Sequence, residues 1–176
     1  MLVVPPVVSV NTHEPTLKFV AKPPAVRTAP LRATDKKTPA ATAIIYCEAN
    51  FGEIDGKTAN GLIRRSEKYK ILSVIDSEKA GLDTGMILDN KPNAIPICRD
   101  LADALSQAGS VPDFFIFGMA PSSGMLSKHE RGLVLEAMSH GMNIVNGLHE
   151  FLNDDPVFAA ACIASKVRIL DVRKPR

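Results

Sequence analysis

The sequence predicts an α/β fold, a Rossmann-like doubly wound parallel sheet of about six strands over residues 41–176, preceded by a disordered Pro-rich tail over residues 1–40. Three observations carry this reading. From residue 41 onward short apolar runs alternate with helical periods, the pattern of βα units. The runs are continuous rather than alternating, Phe114-Phe115-Ile116-Phe117 above all, as in strands buried on both faces. Residues 1–40 instead hold seven of the 13 prolines and show no apolar period of 2 or 3.6, which leaves little surface to bury.

The first strand is predicted at Ala43 to Cys47. A polar loop from Glu48 to Lys57 leads to a helix whose apolar residues Ala59, Leu62 and Ile63 share one face, with Arg64, Arg65 and Glu67 turned to water. The second strand, Ile71 to Ile75, ends at Asp76, and residues 77–94, with Gly81, Gly85 and Pro92, read as an excursion holding a short hairpin. Ile95 to Cys98 forms the third strand, and the spacing of Leu101, Ala104, Leu105 and Ala108 predicts a surface helix stopped by Gly109. After the Phe114 to Phe117 strand, Gly118 opens a loop to Gly124, and Ser127 with Glu130 has the spacing of a capping box. The helix that follows runs from Lys128 to His140, buries Leu133, Val134, Ala137 and Met138, and meets a left-handed cap at Gly141. Asn143 to Asn146 makes the fifth strand, Leu148 to Leu152 a helical turn, Asp155-Pro156 the start of a helix reaching Ser165, and Val167 to Leu170 the sixth strand. Right-handed crossovers arrange six such strands most simply as 3-2-1-4-5-6, which opens a crevice between strands one and four at the carboxyl edge.

Composition narrows the function. Six of the 21 basic and two of the 19 acidic residues fall in residues 1–40, which leaves 15 and 17 for the folded part, nearly neutral. With two Tyr and no Trp there is neither a basic field nor a stacking platform for nucleic acid. No apolar run approaches the roughly 20 residues that span a bilayer. Cys47, Cys98 and Cys162 are far apart and flanked by apolar residues, which fits buried thiols in a reducing compartment and no metal site. The expected location is the cytoplasm, with residues 1–40 also suiting an organellar transit peptide through their Arg, Ser, Thr and Ala content.

The crevice loops supply the candidate ligand contacts. The first contributes Asn50, Gly52, Gly56, Lys57 and Thr58. It is one residue too short for a P-loop, so two readings stay open: Gly56-Lys57-Thr58 offers amides, a cation and a hydroxyl to an anion, or the glycines serve the turn and Thr58 caps the helix. Asp76 sits where dinucleotide folds place a ribose-binding acid, yet without a glycine fingerprint a turn cap is the better account. Gly118, Ser122, Ser123 and Gly124 line the fourth-strand loop, and Asn146, Gly147 and His149 the fifth. His149 can reach the crevice with Ser122 or Ser123, but no G-x-S-x-G elbow supports a hydrolase, so the serines read as hydrogen-bond donors.

Gly56-Lys-Thr-Ala, Asp76 with Ala80-Gly81, Gly118-Met-Ala-Pro, Asn146-Gly-Leu-His-Glu-Phe-Leu and Asp171-Val-Arg-Lys-Pro resemble, in the same order, the N-terminal half of the DgcN-type family, D-glutamate N-acetyltransferase-like proteins long described as a domain of unknown function. This sequence carries Pro121-Ser122-Ser123-Gly124 where that family has a glycine pair. The resemblance implies a Rossmann-like domain followed by a P-loop nucleotide-binding domain that lies outside residues 1–176, so this chain is expected to be stand-alone or truncated and inactive as a catalyst by itself. It implies acetyl-CoA or a nucleotide as cofactor, and a P-loop domain or a second copy of the chain as partner. The expected role is binding of a small anionic or nucleotide-like ligand at the crevice; the alternative is a non-catalytic interaction domain that pairs with a separate P-loop domain.

Overall fold

β1 (Ala41–Tyr46) and β4 (Phe114–Phe117) lie side by side at the centre of a parallel sheet, Ile44 opposite Phe115 and Ile45 opposite Ile116. The structure is a computed structural model and describes residues 40–175. On one side of β1 come β2 (Tyr69–Ile75) and β3 (Ile97–Cys98); on the other side of β4 come β5 (Asn143–Asn146) and β6 (Ile169–Asp171), giving the order β3-β2-β1-β4-β5-β6 with every pairing parallel. This is the expected topology. All but the last residue of the expected tail lies outside the described residues.

Side-chain alternation along the strands divides the apolar residues into two cores. Ile44, Tyr46, Phe115 and Phe117 join Leu101, Val134, Met138 and Phe158 on one face, beneath α3 (Leu101–Ala108), α4 (Lys128–Ser139) and α5 (Pro156–Ser165). Ala43, Ile45, Cys47 and Ile116 join Phe51, Ala59 and Val74 on the other, beneath α1 (Lys57–Arg64) and α2 (Thr84–Asp89). Helices therefore change face between β1 and β4, which makes that junction the switch point where ligands of such sheets bind.

Local chemistry explains the element ends. Ser127 and Glu130 form the reciprocal capping box of α4, Asp155 caps α5 ahead of Pro156, and Gly109 and Gly141 take positive φ after their helices. Residues 77–94 differ from expectation. They form a 3₁₀ turn at Ser77–Lys79 and then α2, with one antiparallel bridge between Asp83 and Pro96 in place of a hairpin. The cause is Asp83, whose carboxylate accepts hydrogen bonds from the amides of Gly85, Met86, Asn93 and Ala94 and so folds the segment around itself. β3 is only two residues long, Ile97–Cys98. The turn expected at Leu148 to Leu152 is displaced to a 3₁₀ turn at Leu152–Asp154. Among the described residues no helix is long and apolar enough to cross a membrane.

Candidate functional site

The carboxyl ends of β1, β2 and β3 each hand a polar residue to one cavity. Glu48 lies two residues past β1, Ser77 two past β2, and Arg99 and Asp100 directly follow β3. The cavity measures about 430 Å³ and is closed by Tyr46 below, by the start of α3, and by His129, Leu133 and Glu136 of α4. These last three are neighbours because they stand four and three residues apart on a helix.

The polar lining is partly built. Glu48 accepts from the Ser77 amide at 2.9 Å and from the Ser77 hydroxyl, which fixes its carboxylate at the cavity wall. Asp100 caps α3 by accepting from the Asp103 amide at 2.8 Å. Arg99 donates its backbone N–H to Asp103, but among the described residues its guanidinium has no ion-pair partner. Tyr46 is only 3% exposed, its ring held between Phe115 and Phe117, and among the described residues its hydroxyl meets no hydrogen-bond partner. Burial, reinforced by the carboxylates of Glu130 and Glu48, pushes the Tyr46 phenol well above its ordinary value. It therefore stands at the cavity as a neutral donor.

A second, smaller cavity of about 230 Å³ opens on the same edge, between Ala120 to Gly124 after β4, Gly147 to His149 after β5, and Arg173 after β6. The Arg173 guanidinium lies 2.8 Å from His149 Nε2. Since a guanidinium can only donate, Nε2 accepts and the ring proton sits on Nδ1.

The sequence candidates separate into these surroundings. Ser122, Ser123, Gly124, Gly147 and His149 come together around the second cavity. The first-loop candidates do not join them, because the space between the β1 and β4 loops is filled. Ala120 donates to the Asp55 carbonyl at 3.0 Å and Ala59 to the Gly118 carbonyl at 3.0 Å, which ties the loops together and consumes an amide at the start of α1. Lys57 N–H goes to the Ile54 carbonyl, and a methyl at Gly56 would overlap the Asn50 carbonyl. Gly56 itself is the N-cap of α1, with no side-chain cap bond, so Thr58 does not cap the helix. Gly118 likewise packs against Ile45, leaving no room for a ligand, and Gly52 donates to Asn60 and faces Ile87 at positive φ. Asn50 donates its side-chain amide to the Glu48 carbonyl.

Two further candidates are committed to the scaffold. Asp76 is fully buried, accepting from the amides of Phe51 and Glu78 at 3.1 Å and facing Lys79, so it bridges two loops and offers nothing to a ribose. Asn146 is buried too; it donates to Glu150 and Asp171 and accepts from Leu148. The cavity residues Tyr46, Glu48, Ser77, Arg99, Asp100, His129 and Glu136 were not among the sequence candidates. A signal was present: three parallel strands in a row are each followed within two residues by a polar side chain, at the edge where such sheets bind ligands.

The three cysteines are free, and burial, aided by Asp76, pushes the Cys47 thiol up to about 12, so it is not poised as a nucleophile. Among the described residues no cluster of His, Cys, Asp or Glu is arranged to hold a metal.

Comparison with known proteins gives this geometry a family. Residues 77–175, more than half of the chain, match the Rossmann-like family described as a domain of unknown function, DUF1611_N. The chain belongs to that family. A crystal structure of a DUF1611 family protein from Anabaena variabilis ATCC 29413 superposes with a TM-score of 0.68 at 29% identity, covering 77% of this DUF1611_N chain and 38% of the solved one. Two curated relatives are D-glutamate N-acetyltransferases. The one from Pseudoalteromonas sp. is 36% identical over 61 residues, 35% of this chain and 18% of the relative; the one from Tritonibacter scottomollicae is 32% identical over 60 residues, 34% and 18%. The aligned DUF1611_N segment thus spans less than a fifth of each curated relative.

Proposed function

We propose that this chain is the ligand-binding domain of a D-glutamate N-acetyltransferase-like protein, and that the larger cavity takes the amino acid. One observation supports this most: a phenol that has no hydrogen-bond partner among the described residues opens into a cavity that also holds three carboxylates and an arginine with no ion-pair partner among those residues. Arg99, Tyr46 and His129 suit a ligand carboxylate; Glu48 and Glu136 suit an ammonium group. A nucleotide fits the same cavity badly, since its phosphates bring negative charge to Glu48, Asp100 and Glu136 with no ammonium group to offset it, as D-glutamate has. Binding, not catalysis by this domain alone, is the role assigned. Isothermal titration with D-glutamate should give a saturable heat that Arg99→Ala abolishes. No heat, or heat indifferent to Arg99→Ala, overturns the reading.

A second reading is favoured by Ile54, Met125 and Val172, each more than half exposed on loops after β1, β4 and β6 at this same edge. Together they suit an interaction surface for a P-loop nucleotide-binding domain. Light scattering of the chain mixed with such a domain, with and without Val172→Asp, would detect the complex or its absence.

A further inference from the structure

We infer that the smaller cavity, between the loops after β4, β5 and β6, is a second binding site, for a phosphate group. It differs from the larger cavity in charge. Among the described residues the larger one is lined by three carboxylates and one arginine, the smaller one by Arg173 and His149 and by no carboxylate. A phosphate, which brings no cation to offset the carboxylates of the first, is therefore drawn to the second.

Its donors come from three separate loops. The Arg173 fork spends one N–H on His149 Nε2, which holds the guanidinium in place and leaves its remaining donors without an ion-pair partner among the described residues. Ser123 closes its own turn, its hydroxyl donating to the Met125 carbonyl and accepting from the Met125 amide, and Gly124 takes positive φ. That leaves the Ser122 hydroxyl and, among the described residues, the N–H groups of Ser122, Ser123 and His149 with no protein acceptor. A phosphate monoester carries three outer oxygens that can be shared among an arginine fork, a hydroxyl and backbone amides. The volume, about 230 Å³, lies below the usual range for a whole small molecule and admits one such group, with the body of any larger ligand outside.

The inference stands whether or not the larger cavity binds D-glutamate. It is tested on the full chain by following backbone amide resonances during titration with inorganic phosphate and, separately, with adenosine monophosphate. Saturable shifts at Ser122, Ser123 and His149 are expected, weakened about tenfold by Arg173→Ala and unchanged by Arg99→Ala. Arg173 is exposed near the end of the described chain, so its loss leaves the fold intact, and the dispersion of the same spectra verifies this. Equal affinity for the two probes identifies the bare phosphate group as what is recognised; tighter binding of the nucleotide adds contacts outside the cavity. No saturation, shifts indifferent to Arg173→Ala, or shifts centred on Tyr46 and Arg99 overturn the inference.

Discussion

At the scale of single residues, the same burial has opposite meanings at Tyr46 and Asp76. Both lie at the carboxyl edge, but Asp76 spends both oxygens on the scaffold while the Tyr46 hydroxyl has no hydrogen-bond partner among the described residues. Asp76→Ala strips Phe51 and Glu78 of their acceptor and leaves Lys79 unpaired, and it should cost about 3–5 kcal/mol in urea denaturation. Tyr46→Phe removes no hydrogen bond to the described residues, so the midpoint of unfolding should move little while D-glutamate affinity falls about tenfold. A large loss of stability in Tyr46→Phe would mean that the hydroxyl serves the fold instead. The serine and histidine candidates of the later loops could be read from the sequence because each follows a strand break at Gly118 or Gly147. The anion site suggested by Gly56-Lys57-Thr58 could not be judged there. It depends on whether Gly118 lies against Ile45, a packing fact between residues far apart in the chain.

At the scale of elements, Arg131 ties α4 to the segment before α5. It pairs with Glu150 at 2.6 Å and with Asp155, and its guanidinium lies 4.7 Å from the Phe158 ring centre. Asp155 also caps α5, accepting from Val157 and Phe158. The hydrogen bond from Arg131, with those amides, holds the Asp155 carboxyl below the ordinary aspartate range. A group depressed in the folded state stabilises fully above its unfolded value, about 3.9, and this contribution is lost as pH falls through the lower folded value. Thermal melts should therefore show an acid-side decline that Asp155→Asn flattens and that high salt weakens. An unchanged acid limb in Asp155→Asn would place the titration elsewhere. The caps of this element pair were legible, because Ser127 with Glu130 and Asp155 with Pro156 are local signals. Residues 77–94 were not, since Asp83 organises them through amides up to 11 residues away, a spacing that no helical or strand period marks.

At the scale of the whole molecule, the sheet is the wall between two cores, and β1 with β4 belongs to both. Phe115 and Ile116 are adjacent and buried, yet Phe115 packs beneath α3, α4 and α5 while Ile116 packs beneath α1 and α2. The strand order could be read from the sequence because unbroken apolar runs mark the central strands, and a run apolar on both faces requires helices on both sides. The position of the cavity could not, because it depends on which face each loop leaves from. Phe115→Ala empties space in one core only and should cost about 3–5 kcal/mol; Ile116→Ala should cost about 2–5 kcal/mol in the other. Because the two cores share the same pair of strands, neither can melt while the other stays ordered. Both variants should unfold in a single transition, with far-ultraviolet circular dichroism and tyrosine fluorescence coincident and the denaturant slope preserved. Separate transitions, or a reduced slope in one variant alone, would show that the α1–α2 layer and the α3–α4–α5 layer fold as independent units on either side of the sheet.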